Sequence, residues 1–489
     1  MKAVYGGDLE TDHDGKRAWI VQFAISDGEK EITGTDLNGF NRALLDLMRS
    51  GESYLYFHNL KYDLEFFKYG LKELCETHGF EMQVMMREKN PIFIKIVPEK
   101  GSKLKPVHIR DSMKKIPGSL SNMAKLVGMK KLDGFDFVPG WSNSVDLTNP
   151  ANWDYVKMDA RIVAVAMQEM HNLGNDRSTF SGDAWNTAKT MLGSDANGDR
   201  YPQNLKWERY FPQIDIKLDG NIRPAYFGGI NISRHRGITT GEITHADVNS
   251  MYPSVMYYDP LPHGLPTYTE HEPVKGSLYV VKGMFRLNLK PGGIPWFMFK
   301  SAVDHHMEGM EAGVPVEHTE HFHLLTLTSI DLELLNEWYE VEWKPDYPPE
   351  YWVFKSRVGI FRAYIDHFTK IKQEAEKGSM RYHWAKFMLN SLYGRFGLNP
   401  NGQETELVPE GNDLIWKETA VVNEEMDAYL PYAMFITAHA RRRLLTYIKK
   451  CGPENVIHSD TDSVIHTGGL VEGVEYGKEL GQWGLEHPP

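Results

Sequence analysis

Near its C-terminal end the chain reads Val456-Ile457-His458-Ser459-Asp460-Thr461-Asp462-Ser463-Val464-Ile465, two carboxylates between apolar runs patterned as the arms of a hairpin. Alternation along an extended backbone puts Asp460 and Asp462 on one side, where two anions repel unless a cation lies between them. Hard oxygen ligands of this kind suit magnesium. A second apolar run, Ile243 to Tyr252, carries a lone acid at Asp247. Brought beside the hairpin, Asp247 completes a site for two metals, which can activate a 3′-hydroxyl, stabilise the transition state and accept the leaving pyrophosphate. The implied chemistry is nucleotidyl transfer. The bland alternative for such a string is a solvated acidic turn.

A third segment, Lys386-Phe387-Met388-Leu389-Asn390-Ser391-Leu392-Tyr393-Gly394, lies in a run with helical periodicity. Lys386, Asn390 and Tyr393 share one face at i, i+4 and i+7. A lysine there can meet triphosphate oxygens while the tyrosine ring packs beneath a base pair; an ordinary amphipathic helix with a solvated Lys386 would look the same.

The N-terminal part argues separately for a nuclease. Asp8 and Glu10 flank Leu9 and so share one strand face, while Asn59 and Asp63 lie one helical turn apart. Tyr155 and Asp159 repeat that spacing on a helix patterned by Val156, Val163, Met167 and Met170. Four acids from three segments plus a tyrosine make a second two-metal site, suited to attack by water on phosphodiesters. Each piece alone is more often a cap or a surface acid.

The strings DVNSMYPS, KFMLNSLYG and DTDS, in this order, resemble the three polymerase motifs of family B DNA polymerases. Tyr226-Phe227-Gly228-Gly229 and Thr437-Ala438-His439-Ala440-Arg441 resemble the protein-primed branch used by small phages and linear plasmids, and the N-terminal acids resemble the three exonuclease motifs of proofreading polymerases. The resemblance implies a multidomain α/β and α+β fold. A ribonuclease H-like 3′-5′ exonuclease domain is expected over residues 1–180 and a right-hand polymerase over 181–489. Within the latter, the palm is expected at about 220–262, 324–345 and 453–480, a first insertion at about 263–323 and 346–358, fingers at about 359–398 and a second insertion at about 399–430.

By the same resemblance Asp8, Glu10, Asp63 and Asp159 hold the exonuclease metals, Tyr155 orients the attacking water, and Lys131 stands at the family's catalytic lysine with altered spacing to the following acids. Thr11, His58, Asn59 and Tyr62 grip the unpaired 3′ end, with Ser112 and Met113 as a further single-strand contact. An exposed ring such as Tyr62 stacks on any base without reading sequence. In the polymerase half, Asp247 and Asp462 ligate both metals with the Val248 carbonyl as a further ligand, and Asp460 is catalytic close by. Tyr252 is the steric gate that excludes a ribose hydroxyl. Lys386 and Lys372 neutralise the triphosphate, Asn390 and Tyr393 line the nascent base pair, Arg441 contacts DNA or the site's carboxylates, and Tyr226, Gly228 and Gly229 let backbone approach a template strand.

The cofactors so implied are magnesium or manganese, two per site. The implied partners are primer-template DNA, deoxynucleoside triphosphates and a terminal protein docked on the first insertion, while the second insertion could encircle template and displaced strand. Relatives continue past the DTDS strand into a thumb with a Lys-x-Tyr motif, whereas this sequence stops at Pro489, so the thumb is expected to be missing. The rival function is a truncated polymerase acting only as a 3′-5′ exonuclease, or as a non-catalytic subunit that binds DNA or terminal protein.

These sites need elements to position them, and the sequence supplies them unevenly. Tyr54 to Phe57 reads as a strand feeding a helix over Tyr62 to Cys75; Leu324 to Ile330 reads as a strand before a helix over Asp331 to Tyr339. Gly193 to Gly198 marks turns, and Asn399 to Tyr429 is polar and turn-rich. At 489 residues, 41% hydrophobic and 12% aromatic, the chain can bury more than one core. No apolar run reaches membrane-span length, and the acids at 8 and 10 come too early for a signal peptide. Two distant cysteines, Cys75 and Cys451, fit a reducing cytoplasm and the role of buried small hydrophobes. A monomer in the host cytoplasm is expected.

A net charge of −12 is the wrong sign for phosphate binding. Part of it belongs to the metal clusters and part to apparent loops such as Glu404 to Glu425. Basic stretches remain at Lys125 with Lys130-Lys131 and at Arg441-Arg442-Arg443 with Lys449-Lys450, where Arg442 and Arg443 are expected on a solvated helix face. His305, His306, His318, His321 and His323 match no standard zinc spacing and are expected to be solvated or hydrogen-bonded.

Overall fold

The computed structural model describes residues 2–87, 90–135, 137–191, 211–234, 237–299, 313–411, 413–422 and 428–486. The turn stretch Gly193–Gly198 and the histidines His305 and His306 lie outside the described residues. Two compact units emerge: Met1–Asp183 with Ile371–Phe387 and Asn401–Asn423, and Ala184–Lys370 with Met388–Pro400 and Glu424–Pro489. Residues 359–398, read from sequence as one block of fingers, are therefore shared between the two.

The first unit is built on a seven-stranded sheet in the order Glu31–Gly34, Ala18–Ser26, Ala3–His13, Ser53–Phe57, Val107–Asp111, Asn90–Val97, Glu81–Arg87. The central three strands run parallel, Ala3 opposite Ser53 and Ser53 opposite Val107, and the flanks are antiparallel. Ser53–Phe57 is buried at every position, as a parallel strand covered on both faces must be. One face carries the helices Leu37–Ser50 and Leu60–His78, the first capped by Asp36 through the Gly39 N–H at 2.7 Å. Their rings interlock there: Phe40 meets Phe23 edge-on at 5.6 Å and stacks on Phe67 at 4.9 Å, and Phe67 lies 5.2 Å from Phe57.

On the other face lies the helix Asp154–Asn172, and the fit is close because the facing residue is Gly6. A Cβ on Gly6 would fall 2.1 Å from the Ala160 carbonyl oxygen and 2.4 Å from the Ala164 nitrogen. Period-two alternation then sends Asp8 and Glu10 to the same face as Gly6, toward that helix.

The polar segment after residue 400 forms a long antiparallel hairpin, Asn401–Glu410 with Asp413–Val422, paired from Asn401 opposite Val422 to Glu410 opposite Asp413. Loop-like composition had concealed strands whose few apolar members carry the packing. Leu407 and Leu414 are buried, and Trp416 rests on the first unit's core.

In the second unit five antiparallel strands run in the order Trp483–Leu485, Ile243–Val248, Ser463–Thr467, Val456–Asp460, Asn231–Ser233. The helix Leu430–Cys451 packs behind them; its Tyr447 lies 4.0 Å from the Trp483 ring and hydrogen-bonds His466 at 2.9 Å. A second sheet joins Pro260–Thr269, Glu350–Val358, Leu278–Leu289 and His323–Thr328, with Tyr339–Trp343 also on Leu278–Leu289. The expected strand at 324–330 is His323–Thr328, and the helix after it is Ser329–Trp338, where the Thr328 hydroxyl accepts the Asp331 N–H at 3.1 Å. Pairing of Val280 with Thr328 through Phe285 with His323 puts residues assigned to palm and to insertion in one sheet.

Both cysteines are free thiols, Cys75 buried but Cys451 only partly so. Among the described residues no helix is long and apolar enough to cross a membrane.

Candidate active sites

Asp8, Glu10 and Asp159 converge so that one carboxylate oxygen from each lies within 4.8 Å of the others, the only such group of potential metal ligands among the described residues. Burial first, and then mutual repulsion with Glu10, Asp159 and Asp63, drives the Asp8 carboxyl well above the ordinary range. Glu10 is pushed up to about 7 by burial and by Asp159. Three carboxylates packed at this cost are what a divalent cation would relieve. Asp63 stands outside the group of three; burial, and after it Asp111 and Glu10, push its carboxyl up as well. Lys131 donates to Asp159, and to the Tyr155 hydroxyl at 3.0 Å, with its ammonium 4.5 Å from the centre of the Tyr155 ring. Burial works to lower that ammonium's pKa, but the bonds to Asp159 and Tyr155 outweigh it and leave it raised.

Around this cluster the expected single-strand contacts divide. Tyr62 is 52% exposed and its hydroxyl lies 2.6 Å from that of Thr11, so ring and hydroxyls are available to a strand. His58 is committed internally. Its Nε2 donates to the Gly118 carbonyl at 2.9 Å, which leaves Nδ1 to accept from the Ser112 hydroxyl at 2.9 Å, and burial lowers its pKa. Ser112 is fully buried. In this structure His58 and Ser112 brace the loop beneath the site, with His58 partly exposed and Ser112 enclosed. Asn59 is exposed and held at φ 77°, its N–H bonded to Asp111 at 3.2 Å, and Met113 is half-buried with its N–H on the same Asp111 oxygen at 2.9 Å.

In the second unit, register brings Asp247 opposite Ser463, and the Val248 N–H donates to the Asp462 carbonyl at 2.9 Å. Asp247 thereby lies on the strand beside the turn that carries Asp462. Asp460 is not on the same extended run, as read from sequence: Thr461 turns left-handed at φ 55°, the Asp462 N–H folds back on the Asp460 carbonyl at 2.6 Å, and Asp460 is exposed. Burial, and beyond it Asp460 and Glu486, push the Asp462 carboxyl up. Thr461 also explains Gly229, where a Cβ would meet the threonine hydroxyl at 2.6 Å.

Tyr252 opens the helix Met251–Tyr258 after a left-handed Ser250, and its ring centre lies 3.9 Å from that of Tyr393. Burial, then the Tyr393 hydroxyl, drives the Tyr252 phenol up. Lys386 and Asn390 are exposed on the helix Met380–Phe396 and Tyr393 half-exposed, while Trp384, Ala385, Met388, Leu389 and Leu392 are buried. Lys372 is half-buried; burial, and then the neighbouring Lys386, lowers its pKa.

Arg441 was expected to reach DNA or carboxylates of the site. It is 2% exposed and grips Asp331 with two bonds of 2.9 and 2.8 Å, while its third arm donates to the carbonyls of Phe227 and Gly228 at 2.7 and 2.6 Å. A guanidinium so enclosed cannot meet DNA; it moors the Tyr226–Gly229 segment from within. Tyr226 is accommodated where Gly397 lacks a side chain, since a Cβ there would come 2.6 Å from its ring. Arg443 is also less free than expected, only 23% exposed and 3.2 Å from Asp259, whereas Arg442 sits at the surface paired with Glu333.

Sequence reasoning missed Gly6, Asp111, Asp331 and Thr461. Gly6 was legible in principle, two positions before Asp8 on the same strand face; Asp111 and Asp331 look like ordinary caps until their partners are seen.

A sequence model of the family described as DNA polymerase type B, organellar and viral, matches residues 145–463. The chain is 31% identical to the DNA polymerase of Bacillus phage M2 and 29% identical to that of Bacillus phage phi29, in each case over 99% of this chain and 84% of the relative. The DNA polymerase of Streptococcus phage Cp-1 is 26% identical over 99% of this chain and 86% of the relative. Among solved structures, phi29 DNA polymerase complexed with primer-template DNA matches with a TM-score of 0.83 at 27% identity, covering 99% of this chain and 84% of that one. Its ternary complex with primer-template DNA and incoming nucleotides matches at 0.80 with the same coverage.

Proposed function

The chain belongs to the type B DNA polymerases of organelles and viruses, within the phi29-like group, and from that premise we propose a protein-primed, strand-displacing replicative polymerase with a 3′-5′ proofreading exonuclease. The synthetic reading rests on one observation above the rest, the main-chain bond from Val248 to Asp462 that sets Asp247 beside the turn carrying Asp462. The proofreading reading rests on the convergence of Asp8, Glu10 and Asp159.

Asp247 and Asp462 would hold magnesium in one site, and Asp8, Glu10 and Asp159, with Asp63 nearby, in the other. The repulsion among the buried acids Asp8, Glu10 and Asp159 fits the second of these assignments. Bound metal would supply activation of the attacking oxygen and neutralisation of the leaving one. The protein's own groups do the rest. Tyr252, braced by Tyr393, closes the space that a ribose hydroxyl would need, so deoxynucleotides are favoured by exclusion. Lys386 and Asn390, exposed on one helix face, offer a charge to triphosphate oxygens and an amide to the base pair. In the exonuclease site Lys131 fixes the Tyr155 hydroxyl and the Asp159 carboxylate together, so that Tyr155 is set to orient a water.

Primer-template DNA and deoxynucleoside triphosphates are the substrates this reading requires, and a terminal protein is its priming partner. The test is a 5′-labelled primer on a longer template with magnesium, with and without deoxynucleotides. Extension with nucleotides and shortening without them is expected. Shortening under both conditions would leave only the exonuclease.

A further inference from the structure

Asp111 ends the strand Val107–Asp111 in the first unit and is 4% exposed. One of its oxygens accepts two backbone N–H groups, from Asn59 at 3.2 Å and from Met113 at 2.9 Å. Asn59 is one of only three residues other than glycine at positive φ among the described residues, and it directly precedes the helix Leu60–His78. Its side chain makes no capping bond to that helix. Asparagine tolerates the left-handed region better than other side chains, and with no capping bond of its own Asn59 is held there by the bond its N–H makes to Asp111. The neighbouring contacts pull the same way: the Ser112 hydroxyl, whose one proton has both the Phe57 carbonyl at 3.1 Å and His58 at 2.9 Å within reach, ties loop 57–60 to loop 111–115. The helix so launched carries Tyr62 and Asp63 within its first turn.

Asp111 thus stands at the root of the turn from which the helix bearing Tyr62 and Asp63 departs. Resting on the exonuclease reading above, we propose that Asp111 is a positioning residue of that site: its carboxylate locks Asn59 left-handed and thereby aims Tyr62 and Asp63 at the 3′ end. It touches neither strand nor metal in this role.

The test follows digestion of a 5′-labelled single-stranded oligonucleotide by the full chain with magnesium, together with hydrogen exchange at the Asn59 and Met113 amides. Asp111→Ala is expected to lower kcat/KM about 10- to 100-fold, the usual range for residues that orient ligands, to expose both amides and to spare primer extension. Asp111→Asn keeps the accepting oxygen and is expected to restore most of the digestion and the amide protection. Digestion by Asp111→Ala at the unsubstituted rate overturns the assignment, as does Asp111→Asn being as slow as Asp111→Ala. Should Asp111→Ala fail to fold, Asp111→Asn decides by the same two readouts. If the unsubstituted chain leaves the oligonucleotide intact, the exonuclease reading falls first and the role of Asp111 with it.

Discussion

Gly6 lies directly under Ala160, close enough that a methyl group on the glycine would sit 2.1 Å from the alanine's carbonyl oxygen. The atoms in the way are helix backbone, which cannot rotate aside. That contact sets the height of the helix Asp154–Asn172 above the sheet and hence the distance from Asp159 to Asp8 and Glu10.

Gly6→Ala is therefore expected to lift the helix, costing about 1–3 kcal/mol by overpacking and scattering the three carboxylates. Single-strand digestion should fall at least tenfold while primer extension persists. Urea unfolding paired with both assays checks this, and unchanged digestion would show that the spacing is set elsewhere.

The two sites should separate by substitution. Asp462→Ala is expected to abolish nucleotide addition and leave digestion of single-stranded DNA intact, and Asp8→Ala to do the reverse. Both activities lost in either variant would refute the two-site assignment.

Tyr252 and Tyr393 are in ring contact at 3.9 Å, so the gate has a wall behind it. Tyr252→Val should admit ribonucleotides, read as incorporation of ribonucleoside against deoxyribonucleoside triphosphates. Tyr393→Ala should loosen the same discrimination more weakly, because the gate ring remains but loses its support.

The Arg441–Asp331 pair is 2% and 1% exposed and fully engaged. Removing one partner from such a pair leaves a buried charge, so Arg441→Ala should cost about 3–5 kcal/mol and free the Tyr226–Gly229 segment. A denaturation curve checks it. Loss of DNA affinity without loss of stability would return Arg441 to the role of a DNA contact.

Acid should weaken the second unit through His439, whose pKa is lowered to about 3 by burial and then by Arg442. The unfolded histidine titrates near 6.5. Between those values the unfolded chain takes a proton that the folded one refuses, so stability is whole above pH 6.5 and declines as pH falls toward 3. The expected loss is roughly 2 kcal/mol by pH 5. His439→Gln should remove that slope, measured as unfolding free energy at pH 7 and pH 5.

Local signals carried the reading of sequence far. The strand at 323–328, the helix after it and the exposed face of Lys386, Asn390 and Tyr393 were legible because period and capping are short-range properties. What stayed hidden depends on partners distant in sequence. Arg441 read as a free cation in a basic run because nothing near it announces Asp331, 110 residues away. The hairpin at 401–422 looked like loop because its strands bury few side chains, and Asp460 was misplaced because the left-handed Thr461 breaks the alternation on which its orientation was inferred.

The bond from Val248 to Asp462 joins peptide to peptide, with no side chain in between. The backbone spacing of the two acids is thus set by strand register together with the turn at Thr461. Side-chain identity still matters where a contact fixes it, as at Gly229 against Thr461. A change that slipped the register of Ile243–Val248 against Ser463–Thr467 by one residue would part the two acids even if both were kept.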